Sequence, residues 1–239
     1  MVEFQPDWPA LLRFLNSQGL EASHSDEDFG YGVHAWLAAA FGELAPKPWR
    51  LLLDGQRPPR ILGYSSHPAE NLRQQIGEFA DPGVYAVCPE PEARIASRMM
   101  PTFGAGRRLA FELLGCPVGR KARSGIEKDL FLVHCDRQGN QGPTRESVYC
   151  EWAKEQIRRD RAATVLQSQL AGFRLVQQIR RGKGGERTDR PKKTLVRPWA
   201  IIRGELCVDD PEAFSEMLMH GVGRHCSFGY GMLLLKPAP

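Results

Sequence analysis

No stretch of this chain is apolar for long enough to span a bilayer, and its first residues, Met1-Val-Glu-Phe-Gln-Pro-Asp-Trp8, lack the basic segment and apolar core of an export signal. Membrane insertion and secretion are therefore not expected, and a cytoplasmic protein is. Cysteine pairing is missing too. Cys88, Cys116, Cys135, Cys150, Cys207 and Cys226 form no C-x-x-C pair and have no histidine beside them at zinc-type spacing, so reduced thiols are expected. The histidines, His24, His34, His67, His134, His220 and His225, make no H-E-x-x-H or similar ligand arrangement, so a dedicated metal site has no support. No internal repeat is visible residue by residue, although two diverged copies of one topology fit the sequence.

What is present is a chain of 239 residues with 42% hydrophobic content, enough to bury a real core in one large domain or two small ones. Its charge is unevenly placed. Residues 1–100 carry 8 Lys/Arg against 13 Asp/Glu, net −5, whereas residues 101–239 carry 24 against 15, net +9. A polyanion would bind the second half. From Gln177 to Pro198 the excess is concentrated: Arg180, Arg181, Lys183, Arg187, Arg190, Lys192, Lys193 and Arg197 are opposed only by Glu186 and Asp189, net +6 over 22 residues.

Periodicity divides the chain into two similar halves. Val2–Phe4 reads as a short strand, followed by a long segment through Asp28. Phe29–Leu44 reads as a helix with Val33, Leu37, Ala40, Phe41 and Leu44 along one side, ended by Pro46 and Pro48. Trp49–Leu53 and Arg60–Tyr64 follow as strands across a turn at Gly55–Pro59, then a helix over Pro68–Phe79 and a closing strand over Arg107–Leu114. Strand, helix, strand, strand, helix, strand is the ferredoxin-like order, shared by RNA-recognition modules. In the second half, Arg145–Arg159 reads as a helix carrying Val148, Trp152 and Ile157. Gln169–Arg180 and Thr194–Val208 are β-rich arms of a long hairpin with its tip at Arg181–Lys193. Asp210 caps a helix over Pro211–His220 that Gly221 ends, and a strand closes the chain. The expected fold is α+β: two tandem ferredoxin-like (RRM-like) domains, residues 1–116 and 145–239, with a basic β-hairpin in the second. Residues 117–144 form a linker region holding a β-like island at Asp129–Val133.

Three features could carry chemistry, each with a plainer reading beside it. Gly221-Val-Gly-Arg-His-Cys-Ser-Phe-Gly-Tyr-Gly231 leaves a helix and enters a strand, the reverse of a dinucleotide loop, so no nucleotide cofactor is expected. Its glycines either bring backbone close to a ligand beside Arg224 and His225 or serve close packing. Tyr31 and His34, three apart on the first long helix, share a face and either present a phenol and an imidazole to a ligand or form a half-buried helix surface bonded locally. The basic run is either a solvated loop or a ribbon that follows nucleic-acid phosphates, and nucleic acid is the preferred partner.

Taken together, Tyr31-Gly-Val-His34 at a helix start, the two-module layout and the terminal glycine loop followed by an apolar strand resemble the CRISPR repeat-cleaving endoribonucleases of the RAMP superfamily, and within it the CasE-type subunit of Cascade effector complexes. The resemblance implies two ferredoxin-like domains, a cut within the CRISPR repeat without metal or cofactor, and a protein that stays on the repeat stem-loop among the other subunits of a Cascade-like ribonucleoprotein. His34 matches the family's catalytic histidine and Tyr31 its neighbouring tyrosine, while His225 leaves open how acid and base roles are divided. Products would carry a 5′-hydroxyl and a 2′,3′-cyclic phosphate. Contacts to RNA are expected from Arg107, Arg108, Arg120 and Lys121, from Arg180, Arg181, Lys183, Lys192 and Lys193 in the hairpin, and from Gly221, Gly223, Arg224, His225, Gly229 and Gly231 in the loop. Two competing readings are a non-catalytic RNA-binding subunit of a CRISPR ribonucleoprotein, which needs the basic surface but not His34, and a small-molecule enzyme with a basic interaction loop.

Overall fold

Val2 and Phe4 are buried with Glu3 between them, the alternation of a strand, and this short β1 (Val2–Phe4) lies in the middle of a sheet. The computed structural model describes residues 1–20, 29–120, 127–138, 142–181 and 192–238. The chain divides into two compact units: Met1–Met100 with Val176–Val196 and Ser227–Gly229, and Pro101–Leu175 with Arg197–Cys226 and Tyr230–Pro239.

In the first unit β2 (Trp49–Leu52), β3 (Arg60–Gly63) and β4 (Ile95–Ser97) join β1 in an antiparallel sheet of order β2-β3-β1-β4. That is the ferredoxin-like order. A helix α1 (Trp8–Ser17) occupies part of the long segment that follows β1. Asp7 caps it by accepting from the Ala10 amide at 2.9 Å, Pro9 lies in its first turn, and Ala10, Leu11, Phe14 and Leu15 are its buried face. α2 (Gly30–Phe41) follows as expected, and α3 (Ala69–Phe79), α4 (Pro82–Tyr85) and α5 (Pro91–Arg94) lie between β3 and β4. Phe4 meets Trp36 edge-on at 6.0 Å and Phe41 at 5.1 Å, while the Trp36 indole donates to the Val84 carbonyl at 3.2 Å. These aromatics fix α2 on the sheet.

One strand sits elsewhere than expected. β4, not Arg107–Leu114, closes the first sheet, and β5 (Arg108–Gly115) is a central strand of the second. Its core-facing Leu109 and Leu113 stand opposite Leu206 and Ile202 of β9 (Lys192–Val208), all of them buried. With β8 (Ala163–Arg181) and β10 (Leu233–Pro237) the order is β10-β5-β9-β8, the same arrangement again around α7 (Arg145–Ile157) and α8 (Pro211–His220). Thr144 and Asp210 cap those two helices. Between β5 and α7 lie a small two-stranded sheet, β6 (Val118–Arg120) with β7 (Glu127–Asp129), and α6 (Leu130–Gln138). Asp129–Val133 is therefore no β island: Asp129 ends β7, its carboxylate accepts from the Phe131 amide at 2.9 Å, and the apolar residues after it start a helix.

Candidate active site

Val33, Trp36, Leu37, Ala40 and Phe41 turn one side of α2 into the core of the first unit, which leaves Tyr31 and His34 half-buried at the margin of that face. Their rings lie 6.4 Å apart. Phe228, from the glycine-rich loop, covers both: it stacks on Tyr31 at 6.0 Å with 18° between the planes and meets His34 edge-on at 5.1 Å. The loop is held there by Trp49 of β2, whose indole N–H donates to the Ser227 carbonyl at 3.1 Å. Gly229 follows with φ +87°, and a Cβ on it would stand 3.0 Å from the Trp49 ring, so this position needs glycine on both counts. Burial, then the positive charge of Lys47, holds the His34 pKa below the ordinary histidine value. Neutral imidazole is its resting form near pH 7.

The rest of the loop belongs to the second unit. Gly221 ends α8, and the Val222 amide donates to the Gly231 carbonyl at 2.8 Å while the Gly231 amide donates to Leu114 of β5 at 2.9 Å. These bonds close a neck. Gly231 has φ +81°, and a Cβ there would lie 2.7 Å from Cys226 Sγ and 2.8 Å from the Val222 oxygen; Gly223 packs in the same way on Trp152. Of the two readings of these glycines, close packing is realised at all three of Gly223, Gly229 and Gly231.

Arg224 and His225 converge on one carboxylate. Glu127 Oε1 lies 3.2 Å from Arg224 Nη1, and Oε2 lies 2.9 Å from both His225 Nε2 and Arg197 Nη2. Burial alone would raise the Glu127 pKa, but His225, Arg197 and Arg224 outweigh it and hold it low. For His225 burial dominates and lowers the pKa, against the raising effect of Glu127. The ionised carboxylate only accepts, so Nε2 carries the proton of the neutral ring.

The other expected residues are dispersed. Arg107 and Arg108 are exposed, and Arg108 pairs with Glu205 at 2.9 Å across β5 and β9. Arg120 is exposed at the end of β6. Arg180 and Arg181 lie in β8 and Lys192 and Lys193 in β9, so two strands do run up to the basic segment. Their side chains, Lys121, Lys183 and the hairpin tip lie outside the described residues. Among the described residues no group of three or more His, Cys, Asp or Glu side chains is placed to hold a metal ion. Sequence reasoning missed Phe228 beside Tyr31 and His34 in the first unit, and Glu127 beside Arg224 and His225 in the second. An aromatic inside a glycine-rich motif and an acid within the basic half were the available signals.

The family described as CRISPR associated protein matches residues 12–237. No curated protein matches the chain. Among solved structures, a CRISPR endoribonuclease Cse3 bound to 19 nt RNA is similar with a TM-score of 0.64 at 20% identity, covering 99% of both chains. Thermus thermophilus Cse3 bound to an RNA representing a pre-cleavage complex is similar at 0.57 and 17%, covering 99% of this chain and 98% of that one. A chain of a CRISPR RNA-guided surveillance complex, pre-nicking, is similar at 0.56 and 16%, with 100% of both covered. These likenesses bear on the fold, which they share over its whole length.

Proposed function

The chain belongs to the CRISPR-associated protein family, and from that premise we propose that it is an endoribonuclease that cuts precursor CRISPR RNA within the repeat and stays on the repeat stem-loop as a subunit of a Cascade-like complex. The observation that carries this is the assembly of Tyr31, His34 and Phe228 at the start of α2. The similar fold of Cse3 bound to RNA supports it.

Cleavage without a metal requires removing the proton of a ribose 2′-hydroxyl, aligning that oxygen with the P–O5′ bond, and stabilising the extra charge on phosphorus. His34 takes the proton: its depressed pKa keeps the imidazole neutral and able to accept. The 2′-oxygen then bonds to phosphorus, the P–O5′ bond breaks, and the leaving 5′-oxygen takes up a proton, giving a 2′,3′-cyclic phosphate and a 5′-hydroxyl. The Tyr31 hydroxyl donates to the reacting phosphate group and orients it. Arginine and lysine side chains of the basic half neutralise the flanking phosphates.

Purified protein incubated with the repeat RNA in excess EDTA should give a single cut with those ends. His34→Ala should slow single-turnover cleavage by about two to four orders of magnitude, the usual loss for a general base or acid, while the Kd for uncut repeat stays within about threefold. Because the His34 pKa is depressed, kcat/KM should fall on the acid side only below the ordinary histidine range. Near-wild-type cleavage by His34→Ala refutes the assignment. Binding without any cut would make the protein a non-catalytic RNA-binding subunit.

A further inference from the structure

We propose that Arg224, Glu127 and Arg197 form a preformed clamp for one phosphodiester of RNA: Arg224 grips the phosphate, Glu127 is the positioning residue that aims it, and Arg197 offsets the charge of Glu127. The clamp rests on the RNA-binding part of the function proposed above, and all of its residues lie in the second unit.

The arginines around Glu127 differ in what they leave open. Arg197 is enclosed, with 10% of its side chain exposed, and its Nη2 stands 2.9 Å from Oε2. Arg224 is 49% exposed, and among the described residues its ion pair runs through Nη1 alone, to Oε1 at 3.2 Å. Its Nε–H and Nη2–H groups remain for a ligand. Two arginines against one carboxylate leave a net charge of +1 while His225 is neutral, and the surplus sits on the exposed arginine. A glutamate paired with Arg224 alone would orient it and cancel its charge. With Arg197 buried on the same carboxylate, the orientation is kept and the charge survives. The planar donor set of a guanidinium matches phosphate oxygens, so phosphate is the anion that fits.

Glu127 can aim a side chain because it is itself fixed. Asp129, two residues on and so on the same side of β7, is 5% exposed and accepts from Arg145 Nη1 at 2.6 Å and the Tyr149 hydroxyl at 2.9 Å. The Arg145 guanidinium in turn lies between two rings, 4.2 Å from the centre of Phe131 and 4.1 Å from that of Phe173. The other end is held as well. His225 has φ +66°, a left-handed conformation that a ring-bearing residue adopts only where its surroundings hold it, and its Nε2 bonds the same carboxylate. Arg224, one residue earlier, is thereby directed at the carboxylate before any ligand arrives. A long side chain ordered in advance loses less entropy on binding, so the clamp adds affinity.

The test is the Kd for repeat RNA at several salt concentrations, measured in the His34→Ala background so that cleavage does not compete. Arg224→Ala should weaken binding about 3- to 10-fold and lower the slope of log Kd against log salt by about 0.7–0.9, the loss of one phosphate contact. Glu127→Gln removes an anion from a surface that meets a polyanion, so charge alone would tighten binding; a positioning role weakens it instead, by about 3- to 10-fold. Arg197→Met should also weaken it, because Glu127 is then left to cancel Arg224. Once Arg224→Ala is present, adding Glu127→Gln should cost nothing further or tighten binding, the mark of an effect carried through Arg224. If Glu127→Gln does not fold, Glu127→Asp, which withdraws the charge by one methylene, is measured in the same cycle. Binding by the folded variant as tight as wild type or tighter overturns the proposal, as does an equal loss with and without Arg224, which would make Glu127 a structural support only. Wild-type protein that binds the repeat but leaves it uncut removes the cleavage reading, and the same cycle still decides the clamp. Should the wild-type protein not bind the repeat, the RNA reading fails and inorganic phosphate becomes the probe: a phosphate-dependent NMR shift of the Arg224 Nε–H, lost in Glu127→Gln, sustains an anion clamp, and no shift overturns it.

Discussion

Replacing Phe228 by alanine removes a ring that touches both Tyr31 and His34 while leaving the backbone bond from Trp49 to Ser227 intact. Its effect can be sized from the two contacts. A stacked pair at 6.0 Å and an edge-on pair at 5.1 Å each contribute about 0.5–1.5 kcal/mol beyond the area they bury, so together they favour the observed arrangement of phenol and imidazole by about 1–3 kcal/mol. If that preference holds the reactive geometry, losing it slows the chemical step by about 5- to 150-fold, at 1.36 kcal/mol per decade.

The loss should appear in single-turnover cleavage of repeat RNA at saturating protein, where binding no longer limits the rate. Opening His34 to water should also raise its titration midpoint, since burial is the larger cause of the depression, and the acid limb of kcat/KM should move up with it. Phe228→Leu keeps apolar bulk without the ring and should fall between. Cleavage by Phe228→Ala within twofold of wild type, with an unmoved acid limb, would refute the view that Phe228 shapes this site.

Changing Arg180, Arg181, Lys192 and Lys193 together to alanine should weaken binding of the repeat hairpin and flatten the slope of log Kd against log salt by about 2–4 units, since each phosphate contact releases counterions; the cleavage rate at saturating protein should change far less. An unchanged salt slope would transfer the stem contact to Arg107, Arg108, Arg120 or Lys121. Gly231→Ala should destabilise the protein by about 2–6 kcal/mol in urea titrations, because strain at φ +81° adds to a Cβ only 2.7–2.8 Å from Cys226 Sγ and the Val222 oxygen. Gly55→Ala, at φ +69° with no atom within 4 Å of the added carbon, carries the strain alone, so equal losses at the two sites would overturn the packing argument.

The elements that could be read from sequence are those whose signals lie within one helical turn. α8 is bounded by a capping Asp210, a first-turn Pro211 and a terminal Gly221, and it starts and stops where those residues say. α1 carries signals of the same kind in Asp7, Pro9 and the Ala10, Leu11, Phe14, Leu15 face, yet the sequence reading assigns no element to the long segment that holds it. Strand partners are another matter. β4 is three residues long with one buried side chain, too short to show a period, whereas Arg108–Gly115 is long and apolar and looks like the natural end of the first module. Its place is decided by burial against β9 and β10, and no local pattern encodes a choice between two sheets.

The site divides along the same line. Tyr31 and His34 are three apart on one helix, so their shared face follows from helical geometry before any fold is known. Phe228 reaches them only because the terminal loop is laid on Trp49, and Glu127 reaches His225 from 98 positions away in the sequence. A single acid near a run of positive charge looks, in one dimension, like a solvated counter-charge. In three dimensions it is largely enclosed, with two arginines and a histidine directed at its two oxygens. Ordering three long or ring-bearing side chains around one carboxylate costs conformational entropy that exposed ion pairs seldom recover. Such a cluster is therefore better explained by the local loop conformation it accompanies, with His225 at positive φ, than by the net attraction of its charges.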